Sequence, residues 1–171
     1  MSRQVALLRG VNIGGRKVVM AELRAACEAA GFTDVQTLLA SGNLVLSAKL
    51  KGDKLEAKLE RVIAQALGLK TDVYVRTAAE LAAVIDANPF AAFAKKHPSH
   101  LVVYFMRAAP SAAERAAFAA SATREEMKTG KGCLYIAFPD GIGDSKLKLP
   151  RLGTARNWNT VTKLAALAMD E

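Results

Sequence analysis

Apolar side chains recur along this chain in two alternating rhythms, one strand-like and one helix-like, and their succession predicts the elements. Residues 4–9, QVALLR, make a nearly unbroken apolar run of strand length. A glycine-rich loop, Gly10 to Lys17, separates it from Met20, Leu23, Cys27 and Ala30. Those four fall on one helical face, and Gly31 stands where a helix-ending glycine is expected. VQTLLA at 35–40 and LVLSA at 44–48 read as strands joined at Ser41-Gly42-Asn43, a tight-turn signal. Asp53 and Glu56 have the spacing of an N-cap with its reciprocal carboxylate. Leu55, Leu59, Val62, Ile63, Ala66 and Leu67 then trace one helical face up to Gly68. DVYVRT at 72–77 is a fourth strand. The order β-α-β-β-α-β within 4–77 is that of the split βαβ, or ferredoxin-like, unit. Its strands are expected in the spatial order 4-1-3-2 with antiparallel neighbours.

The second part of the chain repeats much of this order. Thr77 and Glu80 open a third helix with Leu81, Val84 and Ile85 inward, and Asn88-Pro89-Phe90 stops it, because the residue before proline resists the helical region. KKHPSH at 95–100 reads as a polar bend and LVVYFM at 101–106 as a strand. Ser111 with Glu114 caps a further helix, and EEMKT and CLYIAF can pair around Gly130-Lys131-Gly132. A short helical piece is expected near 142–149, then a final helix over 159–169 with Val161, Leu164 and Leu167 inward. The fold class is therefore α+β, two ferredoxin-like halves with mainly antiparallel sheets. The expected divisions are an N-terminal half over 1–77, a linking helix and bend over 78–99, and a C-terminal half with closing helix over 100–171. No residue-level repeat is visible, so duplication rests on element order alone.

Composition narrows the class. The 171 residues are 51 % hydrophobic, enough for a packed interior, yet no apolar run approaches the roughly 18 residues of a membrane span. The start, MSRQVALLRGVN, lacks the longer apolar stretch and cleavage site of a secretory signal, so a cytoplasmic protein with no membrane partner is expected. Cys27 and Cys133 sit in apolar periodic segments and read as reduced core residues. No CxxC or HxxxH spacing supports a metal, and no cofactor is expected. The net charge of +8 gathers towards the ends of the chain: Arg3, Arg9, Arg16, Lys17 and Arg24 at one, and Lys146, Lys148, Arg151, Arg156 and Lys163 at the other. Such an excess suits an anionic partner, and also serves solubility.

The run VALLRGVNIGGRKVVMAELRAACEAAGFTDVQTLLASGNLVLSA at 5–48 resembles the opening of a bacterial family known as domain of unknown function 1697. The NPF segment at 88–90 and the tail SKLKLPRLGTARNWNTVTKL at 145–164 resemble it too. The resemblance implies a cytosolic bacterial protein with two ferredoxin-like halves, and implies no activity.

Several motifs carry candidate chemistry, each with a structural alternative. Gly10-Val-Asn-Ile-Gly-Gly15-Arg16-Lys17 can converge backbone N–H groups on an anion between a strand and a helix N-terminus. It nearly spells a P-loop, but Arg16 stands at the lysine and Lys17 at the metal-binding hydroxyl, which excludes nucleoside-triphosphate hydrolysis. Topology places the end of the first strand and the hairpin at one sheet edge, so Arg9, Gly10, Asn12, Gly14, Gly15, Ser41, Gly42 and Asn43 are expected to form one concave polar site. The alternative is that these loops only turn the chain, with Asn12 and Asn43 tied to local backbone. In the tail, Arg156, Asn157, Trp158 and Asn159 either start a helix around a core tryptophan or hold phosphate and stack on a base. His97, His100, Asp140 and Asp144 read as turn or surface residues, and no catalytic triad or dyad is visible.

The leading functional expectation is a binding module for an anionic ligand, either nucleic acid or a phosphorylated small molecule. The first and third strands carry no aromatic residue, so the base-stacking mode of RNA-recognition motifs does not apply. Two alternatives stand beside it. One is an enzyme acting on a small phosphorylated or carboxylated substrate, with Arg9 and Arg156 binding charge. The other is a protein–protein adaptor. The oligomeric state is open.

Overall fold

A computed structural model describes residues 2–12 and 17–170. The chain divides into two compact units, Met1–Ala82 with Lys163–Glu171, and Ala83–Thr162. In the first, β1 (Ser2–Leu8), α1 (Met20–Ala29), β2 (Thr33–Thr37), β3 (Asn43–Ala48), α2 (Gly52–Leu67) and β4 (Val73–Thr77) follow one another. Their sheet runs β2-β3-β1-β4 with every neighbour antiparallel, which is the predicted 4-1-3-2 order. Period-two alternation sends Ala6, Leu8, Leu44, Leu46, Val73 and Val75 into one core with Leu23, Cys27, Leu55, Leu59 and Ile63 of the two helices. Val5, Leu7, Val45 and Tyr74 on the other face are also buried.

Two local expectations change. Asp53 does not cap α2; the N-cap is Lys51, which makes no side-chain cap bond. Glu56, buried in the structure, accepts a 2.8 Å hydrogen bond from the Val75 amide. β4 is a sheet edge, and an edge amide inside the core needs an acceptor that the ladder does not supply. The β2–β3 turn is also wider than Ser41–Asn43. β2 ends at Thr37, and Leu39 is exposed at φ +59.

From β4 the chain enters α3 (Ala78–Asp86), whose start is closed reciprocally by Thr77 and Glu80 at 3.0 and 3.1 Å. The second unit then holds α4 (Ala91–Lys96), a 3₁₀ turn (Pro98–His100), β5 (Leu101–Met106), α5 (Ala112–Ser121), β6 (Glu126–Gly130), β7 (Cys133–Ala137) and β8 (Gly153–Asn157). α6 (Trp158–Met169) follows and is divided between the units. The sheet order β6-β7-β5-β8 repeats the first, again antiparallel throughout. Ser111 and Glu114 form the predicted capping box of α5.

Here three expectations are corrected. KKHPSH contains the end of α4 and the 3₁₀ turn rather than a simple bend. Residues 142–149 hold no helix. Instead 138–152 crosses irregularly, with Leu147 and Leu149 packed on the cluster of Val102, Tyr104, Met106, Phe118, Leu134 and Ile136. Side chains tether it: the Tyr104 hydroxyl donates to the Pro150 carbonyl, Ser121 Oγ accepts from Lys148 N at 2.8 Å, and Glu114 accepts from Arg151 N at 3.1 Å. Finally, Thr154–Asn157 belongs to a strand, not to the approach to a helix. Gly153 admits it, because a Cβ there would lie 2.3 Å from the Tyr104 ring.

The registers expose a repeat that residue types conceal. Val5 pairs with Arg76 across β1 and β4, and Val103 pairs with Arg156 across β5 and β8. Both arginines are buried, and both donate to the carbonyl one residue back, at 2.7 and 2.8 Å. Each is followed by a residue that caps the next helix, Thr77 or Asn157.

Glu125 offers a test of the tethered segment. It accepts from Thr123 N at 2.7 Å and from Ser145 Oγ at 2.8 Å. The Thr123 amide first, and the Ser145 hydroxyl next, hold its carboxyl down at about 2. A depressed carboxyl stabilises the native state above its ordinary value of 4.5 and loses that contribution as pH falls towards 2. Amide protection at Ser145 and Leu147, taken relative to the intrinsic exchange rate at each pH, is expected to fall across that window, and Glu125→Gln to flatten the dependence.

Candidate functional site

Two places gather the candidate residues, one in each unit. In the first, β1 ends where Leu8 N donates to Gly42 O at 2.9 Å and Arg9 N to Asp72 O at 3.0 Å. The two loops therefore lie side by side. Gly10 turns the chain at φ +65, Val11 buries itself against Gly42, and Asn12 sits at φ +57. Asn12 donates through Nδ2 to Ala40 O and accepts from Val18 N at 2.9 Å. Asn43 is fully buried and donates to Leu38 O at 2.7 Å and Ser41 Oγ at 2.8 Å. The side-chain amides of Asn12 and Asn43 thus clamp the loops. Arg9 stands half-exposed, its guanidinium 3.7 Å from the Asp72 carboxylate. Gly14 and Gly15 lie outside the described residues.

In the second unit, the tail residues take separate roles. Arg156 is buried in β8, bonded to Thr154 Oγ1 at 2.7 Å, and desolvation pushes its guanidinium down to about 10, so it stays charged at neutral pH. Asn157 caps α6 by accepting from Thr160 N at 3.0 Å. Asn159 is exposed. Trp158 is half-buried, packed with Phe90 and Phe93 against Ala94, Leu101 and Ala137.

Trp158 also lines an open cleft of roughly 260 Å³. Ile85 and Asp86 line it from the end of α3, and Asn88 from the turn that follows. Ala91, Ala94 and Lys95 line it from one face of α4. Asn88 spends its carbonyl oxygen on Phe90 N at 2.9 Å, which fixes the turn. Lys95 and Lys96 fall in the last turn of α4, and Lys128 Nζ stands 5.1 Å from the Phe90 ring centroid. The cleft is thus aromatic on one side, with a carboxylate, Asp86, from one helix and one ammonium group, Lys95, from another.

The register repeat shows that the fold does not demand an indole here. Ala78, two residues after Arg76, holds in the first half the position that Trp158 holds two residues after Arg156 in the second. Asp86 and Lys95 were not singled out by the sequence. The NPF segment and the tail tryptophan each stood out, but nothing in their spacing marks them as neighbours.

Elsewhere, Cys27 and Cys133 are free and buried. Burial first, and the Glu28 charge next, push the Cys27 thiol up to about 11, which disfavours the thiolate. Among the described residues no three His, Cys, Asp or Glu side chains gather as a metal site would need.

A family model described as a protein of unknown function, DUF1697, matches residues 1–135, the stretch containing the glycine loop, the first hairpin, the turn of the second and the NPF turn. The chain belongs to the DUF1697 family. This DUF1697 protein is also similar in fold to a solved structure, a conserved bacterial protein, SP0830, from Streptococcus pneumoniae. The TM-score is 0.77 at 23 % identity, and the likeness covers 98 % of each chain. No curated protein matches the sequence. For this DUF1697 chain the likeness establishes the two-sheet architecture; the chemistry of the cleft rests on its own residues.

The contact between the loops of the first unit can be tested at Gly42. Its φ is +84, and a Cβ there would lie 2.5 Å from Val11 Cγ2 and 2.9 Å from Leu8 Cβ. Gly31 has φ +96 with open space around it. Gly42→Ala is expected to cost about 1–3 kcal/mol more than Gly31→Ala in urea denaturation, the usual size of an overpacking penalty.

Proposed function

We propose that this DUF1697 protein is a binding module for a small phosphorylated molecule that carries a flat ring, held in the Trp158 cleft. The observation that carries this reading is the meeting of Trp158, Asn88 and Lys95 in one open cleft. An indole face attracts a planar ring, and stacking of a base on an aromatic side chain contributes about 1–3 kcal/mol. The Lys95 ammonium supplies the point charge that a phosphate needs. A volume of roughly 260 Å³ lies below the range of about 300–1,000 Å³ typical of drug-sized pockets. It suits one ring with a substituent better than a polymer, which favours the small molecule over nucleic acid. The net charge of +8 supports an anionic partner in either case. Free, buried cysteines and a phosphorylated ligand both fit a cytoplasmic setting.

The loops of the first unit fit this role less well. Asn12 and Asn43 are occupied in clamping the turn, and Arg9 has Asp72 beside it.

Trp158 is the only tryptophan, so intrinsic fluorescence reports on the cleft directly. Titration with mononucleotides and sugar phosphates is expected to change that emission saturably, with only a shallow dependence on salt. Lys95→Ala should weaken binding about tenfold, the loss of one charge-assisted contact of about 1.5 kcal/mol, and leave melting unchanged. Emission unmoved by every compound at millimolar concentration sinks the reading, and a steep salt slope with oligonucleotides hands the cleft to nucleic acid.

A further inference from the structure

We propose that Asp86 sets the specificity of the cleft, selecting a ring whose edge presents an amino group over one presenting a carbonyl. The inference rests on the ring-binding reading above and deepens it. Asp86 is exposed, the last residue of α3, and lines the cleft with Trp158. A carboxylate offers acceptors only. The C-terminus of a helix adds to this, since its last carbonyls carry the negative end of the backbone dipole. Both features ask the same thing of a ligand: a donor on the edge that meets the end of α3. Lys95 comes from α4, a different wall, and asks for an anion. A ligand that satisfies both is polarised along its length, with an exocyclic amino group at one end and a phosphate at the other. Amino-bearing mononucleotides have that form. In their oxo counterparts the exocyclic atom is itself an acceptor set against the Asp86 carboxylate, and the one donor left on that edge is the neighbouring ring N–H, displaced from the position of the amino group.

Matched pairs test this. CMP is compared with UMP, and AMP with IMP, each pair exchanging an amino group beside a ring-nitrogen acceptor for an oxo group beside a ring N–H. The native chain is titrated by Trp158 fluorescence and by calorimetry. The amino member of each pair is expected to bind about tenfold more tightly, a modest ratio for a site that hydrogen-bonds its ligand, because Asp86 is exposed. In Asp86→Asn, whose amide both donates and accepts, the ratio should fall towards one, with the melting temperature unchanged. Equal binding of the amino and oxo members to the native chain overturns the inference while leaving the ring-binding reading in place. A preference that persists in Asp86→Asn overturns it equally. Phenylalanine, with an ammonium and a carboxylate but no phosphate, is the further comparison, and tighter binding of it than of CMP or AMP also counts against the proposal. Failure of every ring compound to bind removes both readings together.

Discussion

The central strand of each sheet is the constraint on which everything else depends. β1 is held by β3 on one side and β4 on the other, and β5 by β7 and β8. From Gln4 to Leu8, and from Leu101 to Met106, every residue is buried. A strand buried on both faces has no surplus backbone hydrogen bonds to give to water, so both of its edges must be paired inside the protein. That requirement fixes two crossovers per half, and these bring the end of β1 against the β2–β3 turn. The glycines follow from it. Gly42 has Leu8 and Val11 in the space a side chain would occupy, and Gly153 has the Tyr104 ring there.

Polar groups answer to the same constraint. Glu56 supplies an acceptor to a buried edge amide, and Tyr135 donates to the Val84 carbonyl at 2.6 Å from inside the second unit. Asn43 organises a turn from a position with no exposure at all. Of the polar residues that read from sequence as ligand-binding groups, Asn12, Asn43 and Arg156 hydrogen-bond within the fold, while Arg9 is half-exposed and Asn159 exposed. Asp86 and Lys95, which line the Trp158 cleft, are exposed.

How far the sequence discloses this depends on whether a residue's role is local. The alternation in LVVYFM, the face of α2 and the Ser111–Glu114 box are set by neighbours a few positions away, and all three were legible. Topology followed, since the split βαβ order leaves few ways to close a sheet. β8 was not legible: Gly-Thr-Ala-Arg-Asn has poor strand propensity and places an arginine where the pattern calls for an apolar residue. Only the pairing with β5 explains it. Glu56 misled because a capping carboxylate and a buried acceptor share the same spacing from Asp53. The cleft stayed hidden because its walls come from three helices joined through a sheet, and Asp86 carries no local signal.

α2 and residues 138–152 occupy equivalent places, each joining the third strand of its half to the fourth. One half covers its sheet with sixteen helical residues, the other with an irregular strap whose two leucines, Leu147 and Leu149, do the same work. What the sheet requires at that place is apolar cover and a chain long enough to return to the edge strand; helicity is optional. The stretch between the third and fourth strands is therefore an exchangeable module. Helices or straps of other lengths could be grafted there while the strands, their register and the cleft keep their form, which makes the fold a practical scaffold for building new surfaces.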